Sequence, residues 1–268
     1  MDGDRFDTCL RAVSRGGSRR QALRGLALAL AGFASGSAAA KDRRHDRPPL
    51  VDVGKGHKGL TGQVAGGTPV PPGKYPFAVS LHMRGVEWGF LCSGSLIGPS
   101  HVLTAAHCTV DPLTRVPFPP SAYTVVVGQV DRTTTHCAAC QKRVTAVAAA
   151  AGMDHPHDVA VLTLDAPVDA RIAQPIALVG SDARSLDGAG QSAIVAGWGL
   201  TTTGGSASTV LMEAPLTVLP DAACGNDPAT HLCTAITAGR APCPGDSGAP
   251  LFVPMDGASV AAAPAARA

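Results

Sequence analysis

Three short stretches of this 268-residue chain hold side chains that can move protons and form covalent bonds. Leu103-Thr104-Ala105-Ala106-His107-Cys108 ends an apolar, strand-like run on a histidine. Asp158-Val159-Ala160-Val161-Leu162-Thr163-Leu164 opens an alternating stretch with a carboxylate. Cys243-Pro244-Gly245-Asp246-Ser247-Gly248-Ala249-Pro250 brackets a serine with glycines ahead of another apolar run. Acyl transfer needs these three groups: a hydroxyl nucleophile, an imidazole to take its proton, and a carboxylate to fix the imidazole tautomer. Glycines beside the serine let the backbone approach a substrate and adopt dihedrals that aim N–H groups at a developing oxyanion. Taken singly, His107 also fits a core histidine beside a disulfide, and Asp158 a strand-end cap.

Such groups must be held by a rigid frame. From Val64 onward the chain reads as short alternating strands divided by Gly and Pro, at 77–83, 88–97, 123–127, 143–149, 158–164, 191–197, 211–219, 231–236 and 249–253. Long stretches of 3.6-residue period are nearly absent, which indicates an all-β body, a barrel or a sandwich. Residues 146–151 favour helix on propensity alone. No repeat of 20–50 residues is visible.

Before this body lies a different texture. Arg19 and Arg20 precede an apolar run over 25–34, and Ala38-Ala39-Ala40 follows before Lys41. A basic start, a short apolar middle and an A-x-A end are the parts of an export signal over 1–40. The paired arginines resemble the twin-arginine type used by bacteria. The apolar run falls short of the ~20 residues that span a bilayer, so no stable membrane anchor is expected once the signal is removed. Residues 41–63 are polar, basic and rich in Gly and Pro, a pro-segment or linker.

Charge divides along the same line. Of 22 Lys and Arg, 12 lie within residues 1–63, and 14 of 20 Asp and Glu lie in the rest. The body is therefore mildly acidic. With 4% aromatic residues as well, nucleic acid is an unsuitable partner.

The chain has eight cysteines, and an exported chain favours disulfides. Cys9 lies in the leader, which leaves an odd number in the body. Cys137 and Cys140 form a C-x-x-C that reads as a small surface disulfide. A zinc site built on it with His136, or on His155 and His157, lacks a second well-spaced ligand pair. No metal and no cofactor is expected.

In the order His, Asp, Ser, the motifs TAAHC, DVAVLTL and GDSGAP resemble the trypsin/chymotrypsin family of serine peptidases. Further segments agree: Val64-Ala65-Gly66-Gly67 with Tyr75-Pro76-Phe77, Cys92-Ser93-Gly94-Ser95-Leu96-Ile97 placed 16 residues before Cys108, and Gly197-Trp198-Gly199. The resemblance covers residues 64 to about 253. It implies two six-stranded antiparallel β-barrels, the first over about 64–172 and the second over about 173–253. It also implies that Ser247 is the nucleophile, His107 the general base and acid, and Asp158 the orienting carboxylate. Gly245 and Ser247 would supply the oxyanion hole, and Asp246 would pair with the new α-amine of Val64 after proteolytic maturation. Cys92 would pair with Cys108, and Cys224 with Cys233.

The chain departs from the family in two places. Ala241 stands six residues before the serine, where trypsin-like members carry the aspartate that receives Lys or Arg. A small or apolar substrate side chain fits it better. After Val253 the family continues with two strands and a helix, whereas 254–268 reads as a low-complexity tail. The second barrel is thus expected to be incomplete, and Cys243 to lack its family partner. The leading expectation is a secreted, monomeric serine endopeptidase made as a precursor, acting on protein or peptide substrates after cleavage by an activating protease. A peptidase-like binding module and an inactive truncated fragment are the alternatives.

Overall fold

Alternation of buried and exposed side chains builds the first half into a closed barrel. In the computed structural model the described residues are 67–83, 90–111, 114–134, 136–150, 158–178, 188–201, 205–223, 232–235, 242–255 and 258–264. Residues 1–40, read above as an export signal, the 41–63 segment and Val64 lie outside them. A two-residue strand, β1 (Thr68–Pro69), comes first. Then follow β2 (Ala78–Met83), β3 (Phe90–Gly98), β4 (His101–Thr104), β5 (Tyr123–Val127), β6 (Gln141–Ala149) and β7 (Ala160–Leu164). These six close in the order β2-β3-β4-β7-β6-β5, every pair antiparallel. In β7 the inward residues are Ala160, Leu162 and Leu164, the period-two pattern of a sheet with one face in the core. Leu162 and Leu164 meet Val79, Leu81, Leu96, Val102, Tyr123 and Val125 inside.

The second half is a seven-stranded sheet. Its further strands are β8 (Ala177–Leu178), β9 (Ser192–Gly197), β10 (Met212–Val218), β11 (Thr234–Ala235), β12 (Pro250–Met255) and β13 (Ala258–Pro264). Their order is β1-β10-β9-β12-β13-β8, with β11 on β10, and the path is open among the described residues. Met212, Ala214, Leu216 and Val218 of β10 form its inner face with Ala193, Val195 and Leu251. No described helix is long and apolar enough to cross a membrane.

The segment read as a low-complexity tail is corrected here: it completes β12 and supplies β13. Residues Ala258–Pro264 pair antiparallel with β12 along its whole length and parallel with β8. Alanine is a poor strand former, so nothing in the composition marks this strand. Its pairing answers the unpaired N–H and C=O groups that β12 would otherwise present at an edge. Residues 146–149 likewise belong to β6, because a helix there would forfeit the ladder to β7.

The two halves share one core. Phe252 of β12 packs edge-on against Tyr75 and Phe77, at centroid distances of 4.8 and 5.1 Å. Trp198, buried just after β9, donates its indole N–H to the Val130 carbonyl at 2.8 Å, and Leu211 donates to the same oxygen at 2.7 Å. The serine segment and the histidine segment are therefore mounted on one rigid body.

Candidate active site

The pairing of β4 with β7 sets the first half of the site. Thr104 lies opposite Ala160 in that ladder. Because the strands are antiparallel, the chain leaving β4 through Ala105 and Ala106 runs past the chain that enters β7 from Asp158. A 3₁₀ turn, Ala106–Thr109, then rotates His107 onto the carboxylate. Asp158 Oδ1 accepts the His107 backbone N–H at 2.8 Å, and Oδ2 lies 2.7 Å from Nδ1. The two bonds fix both the position and the orientation of the ring. Donation from Nδ1–H leaves Nε2 as the ring's proton acceptor. The Asp158 side chain is 1% exposed and that of His107 is 12% exposed. The carboxylate is screened from water while the ring retains an open side.

The Cys92–Cys108 disulfide lies against both the histidine ring and the serine loop. It links β3 to the 3₁₀ turn across 16 residues. A ring nitrogen of His107 lies within 4.8 Å of its sulfurs, and the Ser247 carbonyl oxygen lies 3.9 Å from Cys108 Sγ. Both sulfurs are committed to the bridge, so this cluster offers no thiolate to a metal. Ser93 N–H donates to the Ser247 carbonyl at 2.9 Å, and Ser93 Oγ to the Gly245 carbonyl at 3.0 Å. Gly248 has φ +78°, and a Cβ there would lie 2.3 Å from Thr104 Oγ1 and 2.5 Å from the Ser93 carbonyl oxygen. Only glycine permits that approach of the serine loop to the end of β4. The Ser247 hydroxyl makes no hydrogen bond among the described residues, and neither do the N–H groups of Gly245 and Ser247.

Asp246 anchors this loop from beneath. It is fully buried, accepting the Gly199 N–H at 2.8 Å and the Cys243 N–H at 2.9 Å. Gly197 and Gly199 make room: a Cβ on either would lie 2.2 and 2.5 Å from atoms of the carboxylate. Burial pushes the carboxyl up to about 6, against the lowering by its two N–H donors.

The trypsin family model matches residues 64–261. The chain belongs to this family. It is 34% identical over 207 residues to granzyme M of Homo sapiens, covering 70% of this chain and 73% of that protein. To coagulation factor XII of Bos taurus it is 34% identical over 209 residues, covering 70% of this chain but 32% of the relative. To the suppressor of tumorigenicity 14 protein homolog of Bos taurus it is 30% identical over 222 residues, which is 25% of that protein. The chain thus spans a third or less of the length of the latter two.

As a trypsin-family member the chain retains two disulfides whose partners are both described, Cys92–Cys108 and Cys137–Cys140. Cys233 is also disulfide-bonded, while Cys224 and Ala241 lie outside the described residues. The expectation for Cys243 is corrected: it is buried and disulfide-bonded, and no described cysteine is free. Counting Cys9 out with the leader and reserving a family partner beyond Val253 left Cys243 over; another cysteine of the chain serves instead. Ser93, Gly197, Gly199 and Gly248 were not singled out by role. The glycines flanking Trp198 were the available signal, since a paired Gly-x-Gly inside a strand end marks close approach.

Proposed function

We propose that the chain is a secreted serine endopeptidase, hydrolysing peptide bonds through Ser247, His107 and Asp158. The observation that carries this reading is the pair of hydrogen bonds from His107 to the Asp158 carboxylate, which leaves Nε2 as the basic atom. Ser247 Oγ attacks the substrate carbonyl carbon as His107 Nε2 takes its proton. The N–H groups of Gly245 and Ser247, unengaged among the described residues, receive the oxyanion. Collapse expels the amine, protonated by His107, and leaves an acyl-Ser247 ester. Water then repeats the sequence and frees Ser247. The hydroxyl-to-imidazole hydrogen bond forms when substrate is seated.

Maturation and export complete the proposal. Cleavage after Gln63 by another protease frees the Val64 amine to pair with Asp246. The buried carboxyl, held up near 6 with no cationic neighbour among the described residues, supports that pairing. Residues 1–40 direct export through their paired arginines, and Arg19→Lys with Arg20→Lys retains the precursor in the cytoplasm. Ala241 favours small or apolar side chains before the scissile bond over Lys or Arg. The deciding test is labelling by a fluorophosphonate. The wild type reacts at one site and Ser247→Ala does not; equal labelling of both would refute the assignment.

A further inference from the structure

We propose that Ser93 is a positioning residue for the oxyanion-binding N–H groups, acting on the peptide planes on either side of the nucleophile. The proposal deepens the peptidase reading and rests on it. Ser93 is fully buried on β3, and its contacts converge on the serine loop from a strand more than 150 residues away in sequence.

Each peptide unit is planar, with its N–H and C=O directed oppositely, so fixing the carbonyl aims the N–H. Four planes determine where the Gly245 and Ser247 N–H groups point. In the first, the Pro244 carbonyl accepts Leu200 N–H at 2.8 Å, which turns Gly245 N–H the other way. In the second, the Gly245 carbonyl accepts Ser93 Oγ–H at 3.0 Å while Asp246 N–H donates to the Cys243 carbonyl at 2.9 Å. In the third, the Asp246 carbonyl accepts Ala249 N–H at 2.8 Å, which aims Ser247 N–H outward. In the fourth, the Ser247 carbonyl accepts Ser93 N–H at 2.9 Å. Two of the four planes, Gly245–Asp246 and Ser247–Gly248, therefore depend on Ser93, and they alternate with the two that carry the Gly245 and Ser247 N–H groups.

Ser93 is itself locked. Its carbonyl accepts Thr104 Oγ1–H at 2.9 Å, and its hydroxyl accepts Trp198 N–H at 3.5 Å. A hydroxyl has one hydrogen to donate, and here it goes to Gly245. Gly245 holds φ +97°, a conformation with no side chain to enforce it. The Ser93 hydroxyl provides an external restraint on that flexible residue, so its removal loosens the N–H direction without touching the substrate-contacting surface.

The test compares wild type, Ser93→Ala and Ser93→Thr as purified secreted protein. The readouts are fluorophosphonate labelling rate, kcat and KM on a peptide ester, and affinity for a peptide aldehyde whose hemiacetal oxygen mimics the oxyanion. Ser93→Ala lowers kcat, labelling rate and aldehyde affinity by about ten-fold each, the worth of one well-placed hydrogen bond, and leaves KM unchanged. Ser93→Thr, which returns the hydroxyl, recovers most of each loss. Unchanged kcat and aldehyde affinity in Ser93→Ala would overturn the proposal. So would equal losses in both variants accompanied by a lowered melting temperature, which would assign Ser93 to packing. A wild type that does not label counts against Ser247 as nucleophile instead. In that case the crystal structure of Ser93→Ala decides: rotation of Gly245 away from positive φ supports the restraint, and an unmoved 244–248 loop overturns it.

Discussion

The Asp246 carboxylate occupies the space that a side chain on Gly199 would need, and it accepts the Gly199 N–H at 2.8 Å. Two segments 47 residues apart are thus fitted together without a spare methyl's width. The fit makes the serine loop dependent on a glycine outside the loop itself.

Gly199→Ala places a carbon about 2.5 Å from three carboxylate atoms of a fully buried group. Overpacking of this kind costs about 1–3 kcal/mol. Because Asp246 adjoins Ser247, the expected outcome is a lowered melting temperature together with a greater than ten-fold fall in fluorophosphonate labelling rate. Calorimetry and labelling on the same sample check both parts.

The proposed cleavage after Gln63 has a pH signature. The folded Asp246 carboxyl is raised from 3.8 to about 6 by burial. The folded state therefore holds its proton more tightly than the unfolded state between those values. Its contribution is fully present below about pH 4 and is lost as pH rises through 6. A new ammonium beside the carboxylate removes that loss. Uncut chain should weaken in urea titrations between pH 4 and 6.5 relative to chain cut after Gln63. Parallel pH profiles for the two forms would argue against the Val64–Asp246 pair.

Asp158→Asn keeps the shape of the carboxylate but presents an amide, whose N–H₂ side cannot accept the His107 N–H groups. The imidazole then loses the bond that keeps its proton on Nδ1. Peptide hydrolysis near neutral pH should fall by about 10³–10⁴, with KM nearly unchanged. Steady-state kinetics decide, and a fall below ten-fold would remove Asp158 from the triad.

Among the disulfides, Cys92–Cys108 closes 16 residues and Cys137–Cys140 closes 3. Loop-closure entropy assigns them about 3 and about 1.5 kcal/mol respectively. Replacing the first pair with alanine should lower the denaturation midpoint more and should also reduce labelling, since His107 is seated on that bridge. Replacing the second should leave labelling intact.

The reading from sequence succeeded where the period is local. Five of the six barrel strands followed from apolar alternation and Gly/Pro punctuation, and the motifs around His107, Asp158 and Ser247 carried the resemblance to the family that the chain belongs to. It failed where pairing supplies the order. Ala258–Pro264 has no apolar stripe and is a strand because β12 and β8 flank it. The β4 strand, His101–Thr104, is four residues long, too short to show a period of its own. The partner of Cys243 was misjudged by counting, and counting cannot see which sulfurs the fold brings together. The Ser93 hydroxyl bond spans 152 residues, a distance at which a lone serine carries no local signal.

That last span governs when the site can exist during synthesis. A chain emerging from a ribosome can close its first barrel once β7 is out, because every strand of that barrel precedes Asp165. At that stage His107 and Asp158 are already in register, yet Ser247, the proposed nucleophile, has not been made. Ser93 then waits, with its hydroxyl facing an unfilled position, until residues 244–249 dock against it. Contacts of such long sequence separation form late. Between the synthesis of Leu164 and that of Ser247 a nascent chain therefore holds its imidazole and carboxylate assembled with no serine loop to face them, a delay enforced by the order of its residues.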